Sequence, residues 1–328
     1  MEYKPLGRTG LKVSVVGLGC GNFGGIGSLP ALFGQGESER EAHAIMDAAD
    51  EMGINFVDTA NAYGGGRSEA YIGSWLRERG PQVRQRILLS SKVFNRVGDG
   101  PNDAGLSRLH IMQQIERSLQ RLGTDYADMY LLHEPEWSTP LEETLRAFDD
   151  LIKQGKVRYI GASNVPAWFM AKSLWLSDAH GWTRLNWVQN SFSLLDRTDE
   201  CELLPLCAEH SVGYTPFSPL AGGWLTGKYR AGEPFPAGSR MTLRPEPYAA
   251  WTTERTFAML GRFGVYAQER GTDMATLALA WLLGHPQVTA PIVGPRKRAH
   301  LDPVRRALDL KLSQTERDEI AAIFGEGR

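Results

Sequence analysis

Short apolar runs alternate with amphipathic segments along most of the chain. In the amphipathic segments, apolar residues recur every three or four positions, as in a helix that buries one face. Such helices are predicted over Glu39–Glu51, Ser107–Arg121 and Leu141–Gln154. A further helix is predicted from Pro166 onward, with Ser163 and Asn164 able to start it. The last is predicted over Ser313–Phe324, which opens with a capping sequence. The short apolar runs predict eight β-strands, namely Val15–Leu18, Asn55–Thr59, Ile87–Ser91, Asp128–Leu132, Tyr159–Ala162, Trp187–Gln189, Gly213–Thr215 and Pro291–Val293.

The order of these segments predicts the fold class. A strand followed by a helix, repeated eight times, favours an α/β fold in which a parallel sheet closes into a (β/α)8 TIM barrel. An open, doubly wound sheet is the alternative. Tyr3–Leu6 and Leu11–Ser14 flank a turn and predict a short N-terminal β-hairpin. Cys20–Ser38 and Leu220–Trp251 are long and rich in Gly and Pro, so we predict functional loops at the C-terminal face of the barrel. Because no break in composition divides the chain, we predict a single domain over residues 1–328.

Composition narrows the function classes. The 328 residues carry a formal net charge of −2, which gives no support for binding nucleic acid or a membrane surface through bulk electrostatics. The three cysteines, Cys20, Cys201 and Cys207, have neither metal-ligand nor redox-motif spacing. The first residues do not resemble a secretory signal, and no apolar run has the length of a membrane span. We therefore expect a cytoplasmic protein without a bound metal.

A glycine-rich segment near the N-terminus imitates a nucleotide-binding motif. Gly19–Gly24 matches the Gly-x-Gly-x-x-Gly fingerprint of dinucleotide-binding folds. That fingerprint works only where the third glycine opens a helix whose N-terminus faces the pyrophosphate. Here more glycines and a proline follow, so no helix is expected to begin. A flexible loop that faces a substrate is the better interpretation.

Four polar residues lie at or just past the ends of three predicted strands: Asp58, Tyr63, Lys92 and His133. A barrel brings the carboxyl ends of its strands to one face, where barrel enzymes have their active sites. Taken singly, each residue has a structural explanation, such as capping a turn, packing under a loop, ending a strand in solvent or bonding within a loop. Taken together, they predict a proton-transfer centre.

These residue types suit the reduction of a carbonyl group. The reference pKa of a tyrosine hydroxyl is about 10, and a nearby cation lowers it. Lys92 can supply that cation, and Asp58 can hold and balance the lysine. His133 can donate a hydrogen bond to the carbonyl oxygen or relay a proton. Tyr63 would then give the proton while another group delivers a hydride.

Several motifs in fixed order resemble the aldo-keto reductase superfamily over nearly the whole chain. The matching segments are Leu6–Ser14, Asn55–Gly64, Leu89–Lys92, Asp128–His133 and Gly155–Asn164. The resemblance implies that Tyr63 is the general acid, that Lys92 and Asp58 tune it, and that His133 orients the carbonyl. It also implies that NADPH supplies the hydride and that the substrate is a small aldehyde or ketone.

The same resemblance implies a set of cofactor-binding residues. Ser163, Asn164 and Gln189 have donors and acceptors suited to the nicotinamide carboxamide. Phe217 stands where the family places an aromatic residue that stacks on the nicotinamide. The remaining candidates are Gly21 and Asn22 in the glycine-rich segment, Ser218, Leu220, Gly222 and Lys228 in the loop that covers the pyrophosphate, and Arg240.

A basic cluster, Gly294–Arg298, follows the last predicted strand and is expected to open a helix. A helix N-terminus with guanidinium groups suits the 2′-phosphate that distinguishes NADPH from NADH, and the resemblance assigns this contact to Arg296. Where the family has a glutamine and a Glu-Asn pair near the adenine, this chain has His300, Pro303 and Val304. We therefore expect Gly294, Arg296 and His300 at this end, altered adenine contacts, and a preference for NADPH.

Two other functions fit parts of the sequence. Potassium-channel β-subunits, which this chain also resembles, use a similar barrel mainly as a nucleotide-binding accessory. A barrel lyase would instead use the Lys92 amine to form a Schiff base. For the reductase, Phe23, Phe94, Trp137 and Trp224 follow strand ends and could line an apolar substrate pocket, and ordinary packing within loops is the alternative. The sequence makes no prediction of the oligomeric state.

Overall fold

A computed structural model describes residues 1–325. Within them the strands are β1 Tyr3–Pro5, β2 Lys12–Ser14, β3 Gly17–Gly19, β4 Phe56–Asp58, β5 Leu88–Val93, β6 Ala127–Leu132, β7 Val157–Ser163, β8 Trp187–Gln189, β9 Gly213–Tyr214 and β10 Ile292–Val293. The α-helices are α1 Glu39–Glu51, α2 Arg67–Arg79, α3 Pro81–Arg86, α4 Arg108–Leu122, α5 Leu141–Lys153, α6 Ala167–His180, α7 Leu203–His210, α8 Arg240–Leu243, α9 Glu254–Glu269, α10 Met274–Leu283, α11 Asp302–Asp309 and α12 Gln314–Ile323. Short 3-10 helices span Pro30–Leu32, Tyr63–Gly66, Thr198–Glu200, Ala221–Thr226, Ala249–Trp251 and Arg298–Leu301.

Strands β3 to β10 form one parallel sheet of eight strands in the order β10-β3-β4-β5-β6-β7-β8-β9. Backbone hydrogen bonds bring its two ends together, because Thr289 N donates to Tyr214 O (2.8 Å) and Ile292 N donates to Pro216 O (2.7 Å). The predicted (β/α)8 barrel is therefore confirmed, and the open-sheet alternative is wrong.

The antiparallel pair β1–β2 is the predicted N-terminal hairpin. It lies against the amino-terminal ends of the barrel strands, where Ser14 N donates to Asn55 Oδ1 (2.7 Å) and Lys4 Nζ donates to Val288 O (3.2 Å). Its buried side chains join a cluster inside the barrel made of Leu6, Val13, Phe56, Met129, Leu131, Trp187, Ala290 and Ile292. The hairpin thus closes the end of the barrel opposite the long loops.

Local sequence signals locate several elements closely. Helix α1 has the predicted bounds, and Ser38 and Glu41 form a capping box at its start. Helix α12 begins with a second capping box, as its opening residues predict. The glycine-rich segment runs on through turns, so the first α-helix after it is α1, and the prediction that no helix opens at Gly24 is confirmed.

Other boundaries differ from the predictions. Strand β5 continues through Lys92, which was predicted to follow the strand. Ser163 ends β7, and Pro166 rather than Ser163 or Asn164 is the N-cap of α6. The basic cluster opens a helix as predicted, but Arg296 precedes that helix, which begins at Arg298 as a four-residue 3-10 helix and leads into α11. Across residues 1–325, none of the helices combines the length and apolar character that a membrane span requires.

Candidate active site

A cavity of about 1410 Å³ opens at the carboxyl ends of the barrel strands. It is bounded by both long loops, and it brings together all but one of the predicted site residues. Those that line it are Gly21, Asn22, Asp58, Tyr63, His133, Ser163, Asn164, Gln189, Phe217, Ser218, Leu220, Gly222, Lys228, Arg240, Gly294, Arg296 and His300. Lys92, the exception, lies beneath the cavity wall and is fully buried.

Lys92 forms a buried ion pair with Asp58. Its Nζ donates to Asp58 Oδ2 at 2.6 Å and to the carbonyl oxygen of Thr59 at 2.9 Å. The other carboxylate oxygen of Asp58 accepts hydrogen bonds from Ser90 Oγ (3.1 Å) and Gln189 Nε2 (3.2 Å). Burial works to lower the pKa of Lys92, but Asp58 and Tyr63 together hold that pKa above its usual value. Lys92 is therefore an ammonium ion.

Tyr63 lies between this ion pair and His133. The Lys92 ammonium is 5.1 Å from the centre of the tyrosine ring, and the hydroxyl oxygen is 3.3 Å from His133 Nε2. Burial raises the pKa of Tyr63, and Lys92 opposes this shift while Asp58 adds to it. Lys92 acts on this pKa in the expected direction, but burial outweighs the attraction of the cation. The hydroxyl therefore keeps its proton at neutral pH.

His133 follows β6 directly, and its ring orientation is set by a residue that the sequence did not single out. The Asn95 side-chain nitrogen is 3.0 Å from His133 Nδ1. Since an amide nitrogen only donates, Nδ1 accepts and the ring proton lies on Nε2, facing Tyr63. Burial and the charge of Lys92 hold the pKa of His133 well below its usual value. The imidazole is therefore neutral and presents an N–H donor to the cavity.

The residues predicted to contact the nicotinamide are tied to these four side chains by hydrogen bonds. Ser163 Oγ donates to Gln189 O (2.7 Å), and Gln189 itself contacts Asp58. Asn164 Nδ2 donates to the carbonyl oxygen of His133 at 3.0 Å. Asn164 has a positive φ of 57°, a conformation that asparagine adopts more readily than most residues. This end of the cavity is thus a connected polar network.

The opposite end of the cavity is positively charged. Lys228, Arg240 and Arg296 approach closely enough that, after burial, the two arginines lower the pKa of the lysine. Arg240 Nη2 donates to Asn22 Oδ1 (2.8 Å), and Arg296 Nε donates to Glu37 Oε1 (2.6 Å). Within residues 1–325 the Lys228 ammonium has no hydrogen bond or ion pair, although it lies 5.0 Å from the Tyr229 ring centre. Converging cations of this kind suit the phosphates of a dinucleotide.

None of the four aromatic residues considered for an apolar substrate pocket is among the residues that line the cavity, and Phe94 packs against the core. Phe23 and Trp224 are buried in the core, whereas Trp137 is 66% exposed and stacks on Trp168 at 5.6 Å between ring centres. Aromatic side chains of the second long loop, Tyr248 and Trp251, line the cavity instead. No local signal identified them, because their position depends on how that loop folds back over the barrel.

Comparisons with known proteins agree with this architecture. Residues 16–324 match the family described as "Aldo/keto reductase family". An uncharacterized oxidoreductase from Bacillus subtilis, YrpG, is 38% identical over 96% of this chain and 93% of its own length. A probable voltage-gated potassium channel subunit beta from Arabidopsis thaliana is 35% identical, covering 94% of this chain and 92% of that protein. Versiconal hemiacetal acetate reductase from Aspergillus parasiticus is 34% identical, covering 96% of this chain and 95% of that enzyme.

Proposed function

Since the chain belongs to the aldo/keto reductase family, we propose that it reduces aldehydes or ketones to alcohols with NADPH. Its place among oxidoreductases that use nicotinamide cofactors follows from the family and from its oxidoreductase relatives. The observation that carries the finer proposal is the buried Lys92–Asp58 ion pair beneath Tyr63, with a neutral His133 beside the tyrosine hydroxyl. The direct test is consumption of NADPH by the purified protein, followed by its absorbance, with a panel of aldehydes and ketones.

The cavity residues fit a nicotinamide dinucleotide. The cationic end has an unpaired ammonium at Lys228 and a buried Ser239 hydroxyl without a partner among the described residues. The phosphate groups of a dinucleotide would supply partners for these two side chains, because phosphates accept charge-assisted hydrogen bonds. The network of Ser163, Asn164 and Gln189 would hold the carboxamide, and Phe217 would face the ring. When bound, the nicotinamide supplies the hydride.

Tyr63 donates the proton in the proposed reaction. Its raised pKa keeps the hydroxyl protonated before reaction, and an alkoxide is a much stronger base than a tyrosinate, so transfer is downhill once the alkoxide forms. The nearby ammonium of Lys92 then stabilises the tyrosinate that is left behind. Asp58 keeps that ammonium in place and charged.

His133 polarises the carbonyl. Because the imidazole is neutral and protonated on Nε2, it donates a hydrogen bond without giving up a proton. In the structure the Nε2 proton points at the hydroxyl oxygen of Tyr63, so Tyr63 does not donate its own proton to His133 and can give it to the substrate.

Asn95→Asp is expected to lower kcat/KM by about 10²-fold, the size of effect seen when an oxyanion donor is lost. A carboxylate at this position would accept from Nδ1, which moves the ring proton away from Nε2 and raises the pKa of His133. The pH profile of kcat/KM should gain a step in the neutral range, and nitrogen NMR of the histidine ring should report the other tautomer. An unchanged pH profile and tautomer would show that Asn95 does not orient the ring.

Arg296→Ala is expected to weaken NADPH binding about 10- to 100-fold and NADH binding far less, since a charge-assisted hydrogen bond to the 2′-phosphate is lost. Tryptophan fluorescence titrations with both nucleotides measure this. Arg298→Ala is the matched control, because Arg298 lies outside the cavity and pairs with Glu51 at 3.0 Å. Equal losses for both nucleotides would place the 2′-phosphate elsewhere.

A channel-accessory role is the second candidate, and the similarity to the Arabidopsis thaliana probable potassium channel subunit beta favours it. Tight nucleotide binding without steady turnover of any carbonyl would support this role over the reductase. The Schiff-base alternative is disfavoured, because it needs an accessible neutral amine and Lys92 is buried and charged.

A further inference from the structure

We propose that the carbonyl substrate carries an anionic oxygen group, a carboxylate or a phosphate, and that Arg244 binds it. This inference rests on the proposed reductase function and adds a substrate class to it. Arg244 follows α8 in the second long loop and lines the cavity. The sequence did not single it out.

Arg244 lies at the tyrosine end of the cavity. Its Nη1 packs against Gly27, where an added Cβ would come within 2.7 Å of it. Gly27 N donates to Gly21 O (2.7 Å), and Gly64 N donates to Gly27 O (3.0 Å), so Gly27 sits beside the backbone that flanks Tyr63. The Tyr63 ring in turn lies 3.5 Å from the Cβ position of Gly21.

Charge interactions give the same location. The pKa of Tyr63 is affected first by burial, Lys92 and Asp58, and then by the guanidinium of Arg244, which acts to lower this pKa. Lys228 instead responds to Arg240 and Arg296, at the end of the cavity assigned to the phosphates. Of the cations in this loop, Arg244 is therefore the one whose charge acts on Tyr63, and, after burial, it also acts to lower the pKa of Arg240.

Arg244 also has no partner of its own. Over residues 1–325 its half-buried guanidinium makes no hydrogen bond or ion pair, whereas Arg240 bonds to Asn22 and Arg296 pairs with Glu37. A guanidinium offers a planar fork of donors that matches carboxylate and phosphate oxygens. An anionic substituent would satisfy this group while the carbonyl lies between Tyr63 and His133.

The experiment compares matched aldehydes with the wild-type protein and with Arg244→Gln. The anionic aldehydes are 3- and 4-carboxybenzaldehyde and 4-formylphenyl phosphate, which separate carboxylate from phosphate recognition, and the neutral match is 4-formylbenzamide. Arg244→Gln should lower kcat/KM about 10- to 100-fold for the better anionic substrate, through KM, and change the neutral substrate less than about twofold. Arg244→Lys should restore part of the loss. Arg230→Gln is the control, since Arg230 is exposed in the same loop and lies 3.8 Å from Glu233.

Two further measurements separate this proposal from the reductase proposal. NADPH affinity should be the same in wild-type and Arg244→Gln proteins, and a loss of affinity would assign Arg244 to the cofactor and overturn the proposal. Calorimetric binding of 4-(hydroxymethyl)benzoate and 4-(hydroxymethyl)benzamide to the protein with NADP⁺ needs no turnover. If the wild-type protein binds the benzoate more tightly than the benzamide, and this difference is lost in Arg244→Gln, the anion site is supported even if no aldehyde is reduced. Equal binding of the two alcohols overturns it.

Discussion

The Tyr63→Phe protein is expected to bind NADPH as the wild type does and to lose nearly all turnover. General acid catalysis contributes about 10²- to 10⁴-fold, so we expect kcat for the best aldehyde to fall by about 10³-fold. The ring itself is retained, and with it the contact to Gly21 and the position beside Lys92. Single-turnover rates after mixing the NADPH complex with aldehyde measure the loss at the chemical step.

The pH dependence gives an independent check on Tyr63. Because burial raises the pKa of Tyr63, the hydroxyl is protonated through neutral pH, and the proton is lost only as the pH rises through that raised value. The reduction rate of the wild type should therefore be flat near neutral pH and fall in the alkaline range. The small residual rate of Tyr63→Phe should lack this alkaline fall. Retention of most of the activity in the variant would remove Tyr63 as the proton donor.

Lys92→Met is expected to lower both activity and stability. Without the ammonium, the tyrosinate loses its counter-ion, and a loss of about 10²- to 10³-fold in kcat is the usual scale for one such electrostatic contact. The Asp58 carboxylate would be left buried without its cation, which typically costs about 3–5 kcal/mol of the free energy of unfolding. Urea unfolding followed by circular dichroism measures the second effect.

A double variant separates the two effects of Lys92. Lys92→Met with Asp58→Asn removes both charges and should recover part of the stability without recovering activity. Lys311→Met is the surface control, since Lys311 pairs with Glu2 at 3.1 Å in an exposed position and should change stability little. Full activity in Lys92→Met would exclude an electrostatic role for the lysine in the reaction.

Elements marked by local signals were predictable, and those set by distant contacts were less so. Helix α1 was located to the residue because its apolar stripe and its capping box are both local. Strand β5 runs on through a lysine, which local pattern treats as a strand end. That lysine is tolerated in a buried strand because Asp58, 34 positions earlier, neutralises it.

The candidate site divides in the same way. Motif resemblance and strand ends located Asp58, Tyr63 and His133, because the barrel brings strand ends to one face. Asn95 and Arg244 were missed because their significance lies in what they face, a histidine nitrogen and a glycine 217 positions away, and not in their spacing. Glu37 was missed for the same reason, since its partner Arg296 is 259 positions distant. The effect of Lys92 on the pKa of Tyr63 was predicted in the right direction, but the larger effect of burial was not, because burial is a property of the fold.

The N-terminal hairpin has a consequence for the order in which the chain folds. Lys4 bonds to a carbonyl 284 positions away, and Leu6 shares a buried cluster with Ala290 and Ile292. The hairpin therefore finds these neighbours only after residues 288–292 have been made, and contacts of such long sequence separation slow folding. Docking of the hairpin and closure of the barrel by β10 are therefore late events that occur together. A nascent chain that stops short of residue 290 would expose the apolar face of the hairpin and the apolar interior of the open sheet.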